Sequence, residues 1–189
     1  MMAEKRQHET ALVYAAQGGD KEALQQLLIR NWSWLKGLVY SVLNNSDDVD
    51  DVLQDVCIRV IDKIDSLREP ECFKSWLAVL ARRQALRNRQ QRSARPMQLD
   101  EELVDQKFQI EDQLFENIEE QQQKRQIQLA IESLPEKYRE VFMLQHSGDL
   151  TYGQIAEVLD IPITTVQIRL VRARKLIYDK IINREKIGQ

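Results

Sequence analysis

Apolar residues recur every three or four positions through long stretches of this chain, Gly and Pro are scarce, and no segment reads convincingly as a strand. The pattern predicts a nearly all-α protein. Behind Gly18-Gly19, Asp20 is placed to cap a helix with Leu24, Leu27, Leu28, Leu35, Leu38, Val39 and Val42 on one face, ending at Asn44-Asn45-Ser46. The cleanest periodicity follows: Val49, Val52, Leu53, Val56, Cys57, Val60, Ile61 and Ile64 form one expected core face. Asp48, Asp51, Asp55, Arg59 and Asp62 fall on the opposite side as a mostly acidic stripe. After a breaker from Ser66 to Pro70, Phe73, Trp76, Leu77 and Leu80 begin another amphipathic helix, whose distal half should be solvated and basic.

The C-terminal third predicts a helix around Ile118 to Glu132, then Ser133-Leu134-Pro135-Glu136, with Pro135 suited to a first helical position. Tyr138, Val141 and Phe142 are the expected buried face of that next helix. Gly148-Asp149-Leu150 interrupts the pattern, and Thr151-Tyr152-Gly153-Gln154 has capping-box form before a short helix with Ile155, Ala156 and Leu159. Asp160-Ile161-Pro162 makes a turn. Thr164-Thr165-Val166-Gln167 reads as a second capping box, opening a longer helix with Val166, Leu170, Ala173, Ile177 and Ile181 along one side. A short helix, a tight turn and a longer basic helix spell helix-turn-helix. Such a helix would present Thr164, Thr165, Gln167, Ile168, Arg169 and Arg172 to a DNA major groove, where glutamine can pair with adenine and arginine with guanine or phosphate. A solvated basic helix in an ordinary bundle is the bland alternative.

Charge sharpens this picture. The net charge of −3 over 189 residues argues against nucleic acid only if spread evenly, and it is not. Arg82 to Arg95 holds six arginines and no acid, Asp100 to Glu120 nine acids against Lys107, and Arg169 to Lys186 seven basic residues against Asp179 and Glu185. The alternation predicts separate surfaces for separate partners, with the acidic stretch dividing two small helical domains. The expected boundaries are 9–92, a linker at 93–120, and 121–186.

Several function classes fall away. There is no phosphate-binding glycine loop, metal-ligand spacing or nucleophile–base pair, so neither catalytic residues, metal site nor cofactor is expected. Cys57 and Cys72 form no CxxC and read as small hydrophobes. No run approaches a membrane span and the N-terminus lacks a signal-peptide core, which predicts a cytoplasmic protein without membrane insertion. Regulation is expected from outside the chain, and the free state to be monomeric.

Taken in order, the segments resemble the extracytoplasmic-function group of bacterial sigma factors over roughly Glu9 to Asp179. DDVDDVLQDVCIRVIDKID resembles the family's polymerase-binding helix, with Asp51, Gln54 and Asp55 matching its acid-x-x-Gln-acid signature. FKSWLAVLARRQALRNRQQR resembles the promoter-melting helix that follows it. ESLPEKYREVFMLQHSGDLTYGQIAEVLDIPITTVQIRLVRARKLI is similar to the C-terminal domain and is the most specific match. Cys57 replaces a usual phenylalanine, Arg83 a frequent asparagine, and Asp160 a usual turn glycine, for which aspartate can adopt the left-handed conformation.

The resemblance implies a sigma factor that binds core RNA polymerase, through the β′ clamp and β subunits, and promoter DNA. Polymerase binding would fall to Asp48, Asp51, Gln54, Asp55 and Arg59. Minus-ten DNA would fall to Lys74, Ser75, Arg82, Arg83, Arg87 and Arg89, and residues 66–75 would hold the loop that captures a flipped base. The C-terminal helix-turn-helix would read the minus-thirty-five element. Without the resemblance, the acidic stripe reads as a solvated face. Phe73 and Trp76 have the spacing of core residues rather than stacking platforms. The acidic linker fits either the path of nascent RNA or a plain tether. An anti-sigma factor is a further partner that no residue proves. A helix-turn-helix regulator acting without polymerase is the main rival, and an inhibitory sigma mimic a remoter one.

Overall fold

The computed structural model describes residues 2–93, 118–146 and 150–187. The acidic segment 94–117, with Arg95, and the Gly148-Asp149 break lie outside the described residues. Every regular element among the described residues is helical, and they belong to two compact units, divided between Phe108 and Gln109.

The first unit holds α1 (Met2–Gln17), α2 (Lys21–Leu43), α3 (Val49–Lys63) and α4 (Phe73–Ser93), with 3₁₀ turns Ile64–Ser66 and Pro70–Cys72 joining α3 to α4. Leu27, Leu35, Leu38, Val39 and Val42 of α2 meet Val52, Leu53, Val56 and Val60 of α3 and Phe73, Leu77, Ala78, Ala81 and Ala85 of α4, all buried. The alanines at three- and four-residue steps let α4 approach closely. The buried amide of Asn31 and the Trp34 indole are paired within the core. Asn31 Nδ2 donates to Leu27 O at 2.8 Å, and Trp34 Nε1 donates to Asn31 Oδ1 at 2.7 Å.

Asp20 caps α2, its Oδ1 accepting from the backbone N–H groups of Glu22 and Ala23. Helix α1 was not anticipated. Among its described side chains only Val13 and Ala16 are buried, too few to print a periodic signal. It ends in paired bonds, Gly19 N to Ala16 O and Asp20 N to Ala15 O, both 3.0 Å, with Gly19 at φ +90°. This Schellman closure requires the left-handed region at Gly19, where a side chain is strained although space is free.

Two expectations about the first unit need correcting. Ile61 is 56% exposed, not core, because the buried stripe of α3 runs through Val49, Val52, Val56 and Val60, with Leu53 and Ile64, and leaves positions 57 and 61 at its margin. The distal half of α4 is not uniformly solvated. Gln84 and Ala85 are buried, Arg89 Nη1 donates to Val42 O at 3.0 Å, and Arg92 pairs with Asp48.

The second unit holds α5 (Ile118–Glu132), α6 (Glu136–His146), α7 (Tyr152–Leu159) and α8 (Ile163–Ile187), with α5, α6 and α7 packed on α8. Its core comprises Val141, Leu144, Ile155, Val158, Leu159, Val166, Leu170 and Ala173. Tyr138 and Phe142, expected to be buried beside Val141, are only half-buried; Arg139 and Glu140 turn inward instead. Arg139 Nη1 donates to Glu132 O at 2.7 Å and Leu134 O at 3.3 Å, pairing the last carbonyl of α5 and one in the turn that follows it.

The Thr151–Gln154 capping box is formed in both directions. Asp160 adopts φ 54°, ψ 52°, with Asp160 N bonded to Glu157 O and Ile161 N to Ala156 O. The second box is not formed as expected. Pro162 O already accepts from Thr165 N at 2.9 Å and Val166 N at 3.2 Å, so α8 starts at Ile163 and Thr164 lies inside its first turn.

Candidate polymerase and DNA surfaces

On α3, Asp51, Gln54, Asp55 and Asp62 are exposed, while Asp48 and Arg59 are half-buried. Ile58 and Ile61, each 56% exposed, share this edge, since positions 54, 55, 58, 61 and 62 are helical neighbours. Two isoleucines bordered by carboxylates and an amide form a small apolar patch with a charged rim, the anatomy of a docking surface. Ile58 was missed in the sequence because isolated apolar residues off a core stripe are common. Asp55 is also structural: its Oδ2 accepts from Gln84 Nε2 of α4 at 2.5 Å. Asp48, at the start of α3, pairs with Arg92 near the end of α4, and Lys36 Nζ lies 3.7 Å from Asp50. Cys57 is half-buried beside this edge, and burial pushes its thiol pKa up, keeping it a neutral packing group.

Along α4 the expected basic residues separate by role. Arg83 and Arg87 are exposed, whereas Lys74, Ser75, Arg82 and Arg89 are half-buried. Ser75 Oγ donates to Cys72 O at 2.9 Å, tying the first turn of α4 to the preceding 3₁₀ turn. Arg89 caps a terminal carbonyl of α2 through Val42 O, so its guanidinium is partly engaged within the fold. Trp76 is half-buried, its ring 6.0 Å from that of the buried Phe73.

On α8, Thr164, Gln167, Ile168 and Arg172 are exposed, and Thr165 and Arg169 half-buried. Val171, 65% exposed, lies one turn from Gln167 and Ile168 on the same side, an apolar member of this surface missed in the sequence. Arg172 Nη1 donates to Tyr138 Oη at 3.5 Å, and Lys137 Nζ stands 5.1 Å from the Tyr138 ring centre. Tyr138 is held below its ordinary pKa, chiefly by the Arg172 hydrogen bond and also by the charge of Lys137. The three side chains gather positive charge around Arg172, in the third turn of α8, suited to phosphate. His146 closes α6 with its ring 4.2 Å from Phe142; burial, then the charge of Arg174, holds its pKa down.

Among the described residues no group of three or more His, Cys, Asp or Glu is placed to hold a metal ion, and no helix is long and apolar enough to cross a membrane.

A helical unit with an acidic, apolar-centred edge and a basic helix, together with a capped helix-turn-helix unit, defines a transcription-initiation factor of the sigma-70 type. Residues 27–95 match the family model for sigma-70 region 2, and residues 124–177 that for sigma-70 region 4. The chain is 32% identical over 180 residues to the ECF RNA polymerase sigma-E factor of Escherichia coli (strain K12), covering 92% of this chain and 94% of that protein. It is 27% identical over 179 residues to the RNA polymerase sigma-H factor of Pseudomonas aeruginosa, covering 91% and 93%. The fold matches CnrH, solved in complex with the cytosolic domain of CnrY, with a TM-score of 0.62 at 20% identity over 91% of this chain and 96% of that one. It also matches the sigma factor RpoE of Bartonella quintana, solved with the anti-sigma factor NepR, with a TM-score of 0.61 at 18% identity over 83% and 95%. The chain belongs to the extracytoplasmic-function sigma factors. It directs transcription initiation by core RNA polymerase at promoter DNA.

Proposed function

We propose a division of that work among named residues. Residues 9–92 dock on polymerase through Asp48, Asp51, Gln54, Asp55 and Arg59, with Ile58 and Ile61 at the centre of the contact. They take melted minus-ten DNA on Lys74, Ser75, Arg82, Arg83, Arg87 and Arg89. Residues 93–120 form the linker. Residues 121–186 read the minus-thirty-five duplex through Thr164, Thr165, Gln167, Ile168, Arg169 and Arg172.

The single observation that carries the docking assignment is the exposed Ile58–Ile61 pair set among Asp51, Gln54, Asp55 and Asp62. A merely solvated helix face has no use for two half-exposed isoleucines, whereas carboxylates around an apolar centre steer a basic partner and then bury area. The reading places the protein in the cytoplasm, assigns it no enzymatic reaction, and expects an anti-sigma protein as a third partner.

Run-off transcription with core RNA polymerase on fragmented genomic DNA tests the whole reading. Wild-type protein should yield new discrete transcripts. Asp51→Arg, at an exposed position, should abolish them with an unchanged circular dichroism spectrum. Intact initiation by Asp51→Arg would refute the docking surface, and DNA binding without polymerase-dependent transcripts would make the chain a stand-alone regulator.

A further inference from the structure

The connector between α3 and α4 is held by a residue far away in sequence. Gln17, the last residue of α1, directs its amide nitrogen at two carbonyls, Ile64 O at 2.9 Å and Leu67 O at 2.7 Å. One planar amide with two N–H donors thus fixes the spacing of both carbonyls at once. Ile64 O also accepts from Leu67 N at 3.1 Å, which closes the first 3₁₀ turn, and Cys72 N to Glu69 O at 2.9 Å closes the second. Ile64, Leu67 and Pro70 are buried, so the connector is pinned at three points while Arg68, Glu69 and Glu71 stand exposed between and beyond them. Gln17 is fixed in its turn by the Schellman closure at Gly19. Helix α1 packs on both 3₁₀ turns as well as on α2.

We infer that Gln17 is a positioning residue for promoter selectivity, acting through the connector and not through contact with DNA. The inference rests on the reading of residues 66–75 as the segment that captures an unstacked minus-ten base. A flipped base is recognised by its edge, which demands a receptor with fixed backbone geometry. Between its buried anchors the connector carries the exposed charged residues Asp65, Arg68, Glu69 and Glu71, whose backbone would otherwise sample more conformations, and ordering it only on binding would weaken the discrimination it can deliver. Gln17 makes that ordering part of the folded state. Gln17 is half-buried, with its amide nitrogen engaged by the two connector carbonyls.

The test uses the full chain with core RNA polymerase on a template pool randomised through the minus-ten element, with transcripts sequenced. Gln17→Met removes both donors at similar volume. It should reduce discrimination between the best and worst base at the captured position by about three- to tenfold, the effect of losing one or two net hydrogen bonds. Gln17→Glu keeps the length without an amide donor and should act the same way, providing the comparison should the methionine variant fold poorly. A uniform fall at every base, or unchanged discrimination, in a folded variant would overturn the inference and leave Gln17 a packing residue. Arg68→Ala and Glu69→Ala separate the two levels of argument. If neither alters base preference, the loop reading itself fails. If they alter it while both Gln17 variants discriminate like wild type, only the role of Gln17 fails.

Discussion

Gln84 Nε2 of α4 donates to Asp55 Oδ2 of α3 at 2.5 Å, so a carboxylate on the proposed polymerase edge is also the anchor of a buried amide on the helix proposed to take minus-ten DNA. The two roles make different demands. Asp55→Ala should destabilise the first unit by about 1 to 2 kcal/mol, because the Gln84 amide loses its partner in a buried position. Asp55→Asn retains an accepting oxygen and should cost less than half as much. Urea unfolding of the full chain, read at the transition of the first unit, checks the order. Equal stabilities for the alanine and asparagine variants would mean that the Gln84 bond adds nothing. For the same reason Asp51, not Asp55, is the clean position at which to probe docking.

Asp160 occupies the left-handed region at the end of α7, where the helix-turn-helix reverses. Asp160→Ala should lower the stability of the second unit by about 1 kcal/mol, the cost of a Cβ in that region without the local hydrogen bonding that aspartate allows. Asp160→Gly should fall within about 0.5 kcal/mol of wild type, as relief of strain offsets the greater freedom of glycine when unfolded. In a unit of this size, about 1 kcal/mol corresponds to a shift of roughly 4 to 8 °C in Tm. A thermal scan in which alanine matched glycine would remove backbone conformation as the reason for aspartate here.

Much of the architecture was legible because α2, α3 and α8 each bury a continuous apolar stripe. Val49, Val52, Val56 and Val60 announce α3 from spacing alone. What escaped was set by tertiary context. Helix α1 buries small residues against α2, which gives little periodic signal. Ile61 lies at the margin of a stripe, where spacing cannot say whether a neighbour covers it. Arg139 was overlooked because an arginine reads as surface until the last carbonyl of α5 and the turn after it are placed beside it. At the candidate site, the exposure of Thr164, Gln167, Ile168 and Arg172 on α8 followed from their helical spacing. The engagement of Arg89 with Val42 O and of Arg92 with Asp48 depends on how α4 crosses α2 and α3, which no local pattern encodes.

His146 gives the second unit a pH dependence with a defined sign. Burial against Phe142, and secondarily the charge of Arg174, holds its pKa below the ordinary 6.5. Between the depressed folded value and 6.5, the unfolded chain binds more protons than the folded one, so stability rises with pH across that window. The contribution is complete above pH 6.5 and is lost as pH falls through the folded value. His146→Gln should remove this part of the slope and leave stability above pH 7 nearly unchanged. Chemical unfolding at a series of pH values compares the two proteins; parallel curves would show that His146 titrates alike in both states.

On α8, Arg172 and Gln167 are predicted to fail differently. Arg172 is held at 3.5 Å from the Tyr138 hydroxyl beside Lys137, a cluster shaped for phosphate and not for a base edge. Arg172→Ala should therefore weaken holoenzyme binding on all promoter sequences alike and reduce the salt dependence by about one phosphate contact. Gln167 is exposed more than a turn earlier, between Val166 and Ile168, and its amide can bond a base edge in two directions. Gln167→Ala should instead cost about 1 to 3 kcal/mol on the preferred minus-thirty-five base and little on the others, with the salt slope unchanged. Tyr138→Phe removes the hydroxyl while keeping the ring under Lys137, and should leave base preference intact. Binding of the holoenzyme to a panel of single-base duplex variants across a salt series separates these outcomes. A change in base preference for Arg172→Ala with an unaltered salt slope would move that arginine from the phosphate backbone to the bases and reverse the docking register of α8.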